Sequence, residues 1–81
     1  MQSVTIRKLI FTIYQDQGEL VNAVIGPFIM VQDLIKEHGG TWDHPNRCWR
    51  LPSEWTPAKC VEFVERLNDV AAQRTVTGRV H

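Results

Sequence analysis

Residues 39–52, GGTWDHPNRCWRLP, hold two of the three tryptophans of this 81-residue chain, one on each side of a Pro-Asn pair. The segment 44–47, HPNR, suits a type I turn, because proline pre-sets the backbone of the second turn position. The stretch therefore predicts a β-hairpin. Counting outward from the turn places Trp42 opposite Trp49, so both indoles share one face of the hairpin.

The same register places Asp43 opposite Cys48 and puts Asp43 and Arg50 on the other face, diagonally within reach of each other. Arg47 and Arg50 flank Trp49, and we expect their guanidinium groups at a solvent-exposed rim. Two interpretations of the indoles remain open. Large side chains are needed in the core of so short a domain, whereas exposed indoles would form a binding surface.

An earlier hairpin is predicted from residues 4–15, VTIRKLIFTIYQ, and residues 19–25, ELVNAVI, joined by a turn at 16–18. We pair Gln15 with Glu19. The predicted core face then holds Leu9, Phe11, Ile13, Val21, Ala23 and Ile25. The predicted outer face holds Lys8, Ile10, Thr12, Tyr14, Leu20, Asn22 and Val24.

Two helices complete the predicted fold. Pro27 suits a helix start, and Gly39-Gly40 suits a helix end. Thr56 and Pro57 suit the N-cap and first position of a second helix. Its apolar stripe comprises Cys60, Phe63, Val64, Leu67, Val70 and Ala71. The order β-β-α-β-β-α predicts a small single α+β domain over residues 1–73, with an antiparallel sheet, helices packed on one face, and a mobile tail over 74–81.

Composition narrows the class of protein. Nine basic residues balance nine acidic ones, so a case for nucleic acid depends on clustering instead of overall charge. No apolar run approaches the length that crosses a bilayer, and the alternating N-terminus predicts a strand instead of a secretion signal. The two cysteines are too few for a disulfide scaffold. We expect a cytoplasmic protein without membrane association.

The residues predict neither an enzyme nor a cofactor. His44 and Cys48 project to opposite faces of the second hairpin, which disfavours activation of the thiol as a nucleophile. Cys48 and Cys60 lack the spacing of a zinc site, so no metal is expected.

The second hairpin resembles the small HARP-like module of annealing helicases. Similar GxxWDxxxxxWxxP segments occur in domains appended to phage and plasmid recombinases, helicases and primase-like proteins. The matching residues are Gly39, Gly40, Trp42, Asp43, Arg47, Trp49, Leu51 and Pro52. The resemblance implies a chiefly structural role for Gly40, Trp42, Asp43, Trp49 and Pro52, and a connection with enzymes that handle DNA.

Two functions follow as hypotheses. The first is a non-catalytic nucleic-acid-binding accessory of a phage or mobile element, and its candidate binding residues are Arg7, Lys8, Tyr14, Arg47 and Arg50. The second is a protein-interaction module, such as an inhibitor of a host enzyme or defence complex, or a homodimer. Its candidate partner-binding residues are Ile10, Tyr14, Leu20 and Val24.

Overall fold

The computed structural model describes residues 8–78, and the side chains of residues 8–74. Its strands are β1 (Ile10–Asp16), β2 (Glu19–Ile25), β3 (Thr41–Asp43) and β4 (Cys48–Arg50). Its helices are a 3₁₀ helix (Ile29–Val31), α1 (Gln32–Glu37) and α2 (Pro57–Gly78). The strands form one antiparallel sheet in the order β1-β2-β4-β3. The predicted α+β class is confirmed, although the 3₁₀ helix means that the element order is not strictly β-β-α-β-β-α.

The register of the first hairpin differs by one residue from the prediction. Asp16 pairs with Glu19, and Gln17 and Gly18 form a two-residue turn with φ angles of 53° and 83°. Positive φ at both central residues is the conformation of a type I′ turn. A slip of one residue moves every side chain of a strand to the other face of the sheet. The predicted faces of β2 are therefore wrong, while those of β1 hold.

The two faces of the sheet differ in what covers them. The helix face, defined by Phe11, Val24 and Trp49, lies against the helices. The open face, defined by Tyr14, Ala23 and Arg50, lies on the other side of the same strands. Val21, Ala23 and Ile25, which we predicted on the core face, lie on the open face because of the register shift.

The core lies between the helix face and α2. Its buried side chains are Leu9, Val24, Val31, Ile35, Trp49, Leu51, Cys60, Phe63, Val64 and Leu67, with Val70 and Ala71 packed against them. The predicted apolar stripe of α2 is thus confirmed. None of the helices in the described part of the chain is long and apolar enough to span a membrane.

The predicted end of the first helix and the predicted start of the second are confirmed by their hydrogen bonds, whereas the predicted start of the first helix at Pro27 is wrong, because the 3₁₀ helix begins at Ile29. Gly39 has a φ of 95° and donates its N–H to the Lys36 carbonyl at 3.0 Å, while Gly40 donates to the Ile35 carbonyl at 2.8 Å. This pair of bonds is a Schellman ending for α1. At the start of α2, the Lys59 N–H donates to Thr56 Oγ1 at 3.2 Å, as expected of an N-cap.

Helix α2 continues beyond the predicted start of a tail at residue 74. Arg74 Nη1 donates to the Met30 carbonyl at 2.7 Å and to Asp33 Oδ1 at 2.8 Å. These bonds connect α2 to the 3₁₀ helix and to the first turn of α1, and the hydrogen bond from Arg74 lowers the pKa of Asp33. Residues 79–81 of the predicted tail and residues 4–7 of the predicted first strand lie outside the described residues.

Candidate functional site

The second hairpin has the predicted register. Trp42 pairs with Trp49, and Asp43 pairs with Cys48. The turn closes with a bond from the Arg47 N–H to the His44 carbonyl at 3.2 Å, and Arg47 has a φ of 53°. This hairpin therefore sends both indoles to the helix face and sends Asp43 and Arg50 to the open face.

A polar network connects three strands across the open face. The Tyr14 hydroxyl donates to Asp43 Oδ2 at 2.5 Å, which joins the two edge strands of the sheet. Arg50 Nε donates to the Tyr14 hydroxyl at 2.9 Å and to Asp43 Oδ2 at 3.3 Å, and Arg50 Nη2 donates to Asp16. Asn46 Nδ2 adds a bond to Asp43 Oδ2 at 3.0 Å. The predicted proximity of Asp43 and Arg50 is confirmed.

At neutral pH, Tyr14 is protonated, Asp43 is ionised and Arg50 carries its positive charge. Burial, followed by the hydrogen bond to Asp43, raises the pKa of Tyr14 to about 12. The bonds from Tyr14 and Asn46 lower the pKa of Asp43 to about 2. The bonds to Asp16 and Tyr14 raise the pKa of Arg50. Two carboxylates thus surround one guanidinium, an arrangement that does not favour a phosphate at this position.

The proposed nucleic-acid-binding residues are not brought together in one basic surface. Tyr14 and Arg50 are engaged in the network, whereas Lys8 and Arg47 are exposed. The register of β2 with β1 and β4 places Lys8 and Arg47 at the same end of the sheet, away from the Gln17–Gly18 turn. Arg7 lies outside the described residues, so its role stays a prediction.

The predicted partner surface is divided between the two faces. Ile10 lies on the open face and is 57% exposed, beside its cross-strand neighbour Ile25. Leu20 is exposed, but its register places it on the side of the helix face. Val24 is 1% exposed and packs in the core, so its assignment to a partner surface is wrong.

A cleft of about 350 Å³ opens on the helix side of the second hairpin. The residues that line this aromatic cleft are Phe28, Gln32, Lys36, Trp42 and Trp49. Its three rings pack on one another, with centroid distances of 4.9 Å for Phe28–Trp42, 5.7 Å for Phe28–Trp49 and 5.3 Å for Trp42–Trp49. The indoles differ in exposure, because Trp49 is 4% exposed and Trp42 is 40% exposed. Trp49 is therefore a core residue, whereas Trp42 forms part of the surface.

Two of the residues that line the aromatic cleft carry polar groups without a hydrogen bond or ion pair among the described residues. Trp49 Nε1 is buried and has no hydrogen-bond partner among the described residues. Lys36 Nζ lies 6.0 Å from the centroid of the Trp49 ring. A buried N–H without an acceptor costs free energy, about 1–3 kcal/mol, that a bound acceptor atom can recover. The cleft thus combines an exposed stacking surface with one cation, and one of its lining residues carries a buried donor without a partner.

Sequence reasoning did not identify three residues of this cleft. Phe28, Gln32 and Lys36 follow one another at intervals of four, which places them on one side of a helical path. That spacing was the available signal. The packing of α1 beside Trp42 is needed to show that these three residues lie against the second hairpin.

A smaller cleft of about 160 Å³ lies along α2 and contains the third tryptophan. Trp55 packs edge-on against Phe63 at 5.1 Å, and Lys59 Nζ lies 4.8 Å from the Trp55 ring. On its far side, His38 packs against Phe63 at 5.0 Å, with its Nδ1 donating to the Leu34 carbonyl at 2.8 Å. This cleft therefore repeats the indole–lysine pair at a separate position.

The cysteines are placed as core residues. Cys48 is 2% exposed and Cys60 is 0% exposed, and burial raises the pKa of both thiols. Both are therefore protonated at neutral pH, a state unsuited to nucleophilic attack. In the described part of the chain, no group of three or more His, Cys, Asp or Glu side chains is arranged to hold a metal ion.

Comparison of the chain with protein-family models, curated proteins and solved structures found no match.

Proposed function

We propose that this protein is a small non-catalytic binding domain that takes an unstacked base of single-stranded nucleic acid in the aromatic cleft. The observation that carries the proposal is the buried Trp49 Nε1 without an acceptor, beside the exposed ring of Trp42. Bases present both a flat π-face and acceptor atoms on their edges, so one base can use both features.

Stacking supplies the main part of the interaction. Trp42 is the outermost of the three rings, and Phe28 and Trp49 support it from behind at 4.9 Å and 5.3 Å. A ring held in this way is already ordered, so little conformational entropy is lost when a base stacks on it. A volume of about 350 Å³ is near the lower end for ligand pockets, which suits a single base instead of a larger ligand.

Polar contacts complete the recognition. Lys36 lies at the cleft and has no ion pair among the described residues, so its ammonium group is available to a phosphate. The amide of Gln32 provides both a donor and an acceptor for a base edge. The resemblance of residues 39–52 to a module that accompanies DNA-handling enzymes supports the same class of ligand.

The test is fluorescence anisotropy of a labelled single-stranded oligonucleotide, about 12 nucleotides long to cover one site. Trp42→Ala should weaken binding by about 5- to 150-fold, because stacking of one base is worth about 1–3 kcal/mol. Trp55→Ala is the matched control, since it removes an indole from the smaller cleft. Circular dichroism verifies that both variants are folded.

Equal losses in the two variants would contradict the assignment of the cleft. Absence of oligonucleotide binding by the unmodified protein would overturn the ligand class. The protein-interaction hypothesis would then be preferred, with the exposed Ile10 and Ile25 on the open face as the residues to change first.

A further inference from the structure

Strand β1 is an edge strand, and its free side has a defined set of backbone groups. The turn at Gln17–Gly18 has two residues, so Asp16 and Glu19 exchange both of their backbone hydrogen bonds. Bonding then alternates along the strand. Even-numbered residues of β1 point their N–H and C=O toward β2, and odd-numbered residues point theirs away from the sheet.

The side chain of Asn68 confirms that the backbone groups of odd-numbered residues point away from the sheet. It also occupies the outward groups at one end of the strand, those of Leu9. Asn68 Oδ1 accepts the Leu9 N–H at 2.8 Å, and Asn68 Nδ2 donates to the Leu9 carbonyl at 3.1 Å. The amide of Asn68 thus occupies the position of a neighbouring strand. Within residues 8–78, the outward groups of Phe11, Ile13 and Gln15 have no such partner.

We propose that two copies of this chain associate through β1, antiparallel and centred on Ile13, to form one continuous sheet. The three open residues are symmetric about Ile13. A two-fold axis therefore pairs Ile13 with the partner subunit's Ile13 and pairs Phe11 with the partner subunit's Gln15. Each open residue donates one bond and accepts one, so no outward group is left unpaired.

The side chains of β1 are compatible with this pairing. Ile13 is 44% exposed and would pack against the same residue of its partner on the helix face. Asp16, the acidic residue of β1, would lie opposite the partner subunit's Ile10, so no like charges meet. Lys8 would lie diagonally from the partner subunit's Asp16 on the open face, an arrangement of opposite charges.

Strand β1 also lacks the features that protect an edge against pairing. Natural edge strands carry lysine or proline, or are very short, whereas β1 has seven residues with the sequence IFTIYQD. Asn68 blocks only the position of Leu9. A strand from another protein could use the same hydrogen bonds, but a second copy also places its Asp16 diagonally from Lys8, so opposite charges favour this partner.

Sedimentation velocity over a wide range of protein concentration tests the proposal. The unmodified chain should change from monomer to dimer as concentration rises. Ile13→Lys should remain monomeric, because the two-fold axis brings the two ammonium groups together. Leu20→Lys is the matched control, since it places the same charge at a 77% exposed leucine of β2 and should leave dimerisation unchanged.

Hydrogen exchange provides a second measurement if Ile13→Lys fails to fold. In the unmodified protein, the amides of Phe11, Ile13 and Gln15 should become more protected as concentration rises, whereas that of Thr12 should not change. An unmodified chain that stays monomeric at all concentrations overturns the proposal. A dimer in which Ile13→Lys associates as well as Leu20→Lys overturns the assigned interface.

Discussion

Tyr14 has an unusual position for a residue of an edge strand. Its hydroxyl donates to Asp43 on the opposite edge strand, so the side chain extends across β2 and β4. Ala23 and Cys48 lie on those central strands and on the same face, and they are 0% and 2% exposed. We infer that the ring of Tyr14 covers both residues and gives the open face a small second layer of packing.

Tyr14→Phe tests the role of the hydroxyl. The variant keeps the ring over Ala23 and Cys48 but removes the donor to Asp43 and the acceptor of Arg50 Nε. We expect the free energy of unfolding to fall by about 1.5–3 kcal/mol, the usual worth of a hydrogen bond to a charged group. Urea denaturation at pH 7 measures this change, and an unaltered free energy would contradict a stabilising role for the network.

The depressed pKa of Asp43 predicts a specific loss of stability in acid. Its pKa is about 2 in the folded protein, because Tyr14 and Asn46 donate to the ionised form, against about 3.9 in an unfolded chain. A lowered folded pKa contributes stability that is present above the unfolded value and is lost as the pH falls toward the folded value. The free energy of unfolding should therefore decrease between about pH 4 and pH 2.

Asp43→Asn provides the comparison for this pH dependence. The variant cannot ionise at residue 43, so its free energy of unfolding should be lower at pH 7 and should fall less steeply below pH 4. Urea denaturation across this pH range compares the two proteins. Parallel pH profiles would show that Asp43 is not the group responsible.

At the scale of elements, the two hairpins show what the sequence can determine. Pro45 restricts the second turn, and the register counted from it is the observed one. The segment 16–18 permits either a three-residue loop that pairs Gln15 with Glu19 or a two-residue loop that pairs Asp16 with Glu19. The structure has the second, with Gln17 at positive φ, a conformation that is uncommon for a residue other than glycine.

Functional residues could be predicted where they lie on one hairpin, and could not where they depend on packing between elements. The facing pair Trp42–Trp49 and the approach of Arg50 to Asp43 follow from counting along one hairpin. The aromatic cleft does not, because Gln32 and Lys36 reach it only through the packing of α1 against the sheet. The role of Asn68 at the edge of β1 depends on a contact between residues far apart in the chain, which no local pattern indicates.

The end of α1 provides a prediction at this scale. A Cβ on Gly40 would lie 2.4 Å from Ile35 Cγ2 and 2.9 Å from the Ile35 carbonyl oxygen. A Cβ on Gly39 would meet only Pro52 at 3.4 Å, although its φ of 95° disfavours other residues. Gly39→Ala should cost about 1–3 kcal/mol, and Gly40→Ala should cost more because the clash adds displacement of buried Ile35.

Thermal and urea denaturation of the two glycine variants measure this order. Gly18→Asn is a suitable control, since nothing lies within 4 Å of an added Cβ there and asparagine tolerates positive φ. A Gly40→Ala variant as stable as Gly18→Asn would contradict the described packing of α1.

For the whole molecule, the distribution of charge determines how a nucleic acid can bind. The net charge is zero, and the open face holds its guanidinium between carboxylates. Binding through the aromatic cleft should therefore depend mainly on stacking, with few phosphate contacts. The affinity for an oligonucleotide should fall only gradually as salt is raised, unlike that of a strongly basic domain.

Lys36→Gln tests the single phosphate contact assigned to the cleft. Removing one contact to a single strand should reduce the slope of log affinity against log salt by about 0.7. Lys59→Gln is the matched control, because Lys59 lies over the indole of Trp55 in the other cleft. Equal slopes for the two variants would show that Lys36 does not contact a phosphate.

The proposed mode of binding requires an acceptor atom of the ligand to reach Trp49 Nε1, and nuclear magnetic resonance of the three indole N–H groups detects that hydrogen bond. On titration with a single-stranded oligonucleotide, the Trp49 signal should move downfield as its N–H gains a hydrogen bond. The Trp42 signal should shift through ring stacking, and the Trp55 signal should stay in place. Binding that leaves the Trp49 signal unmoved would show that no ligand atom bonds to Trp49 Nε1.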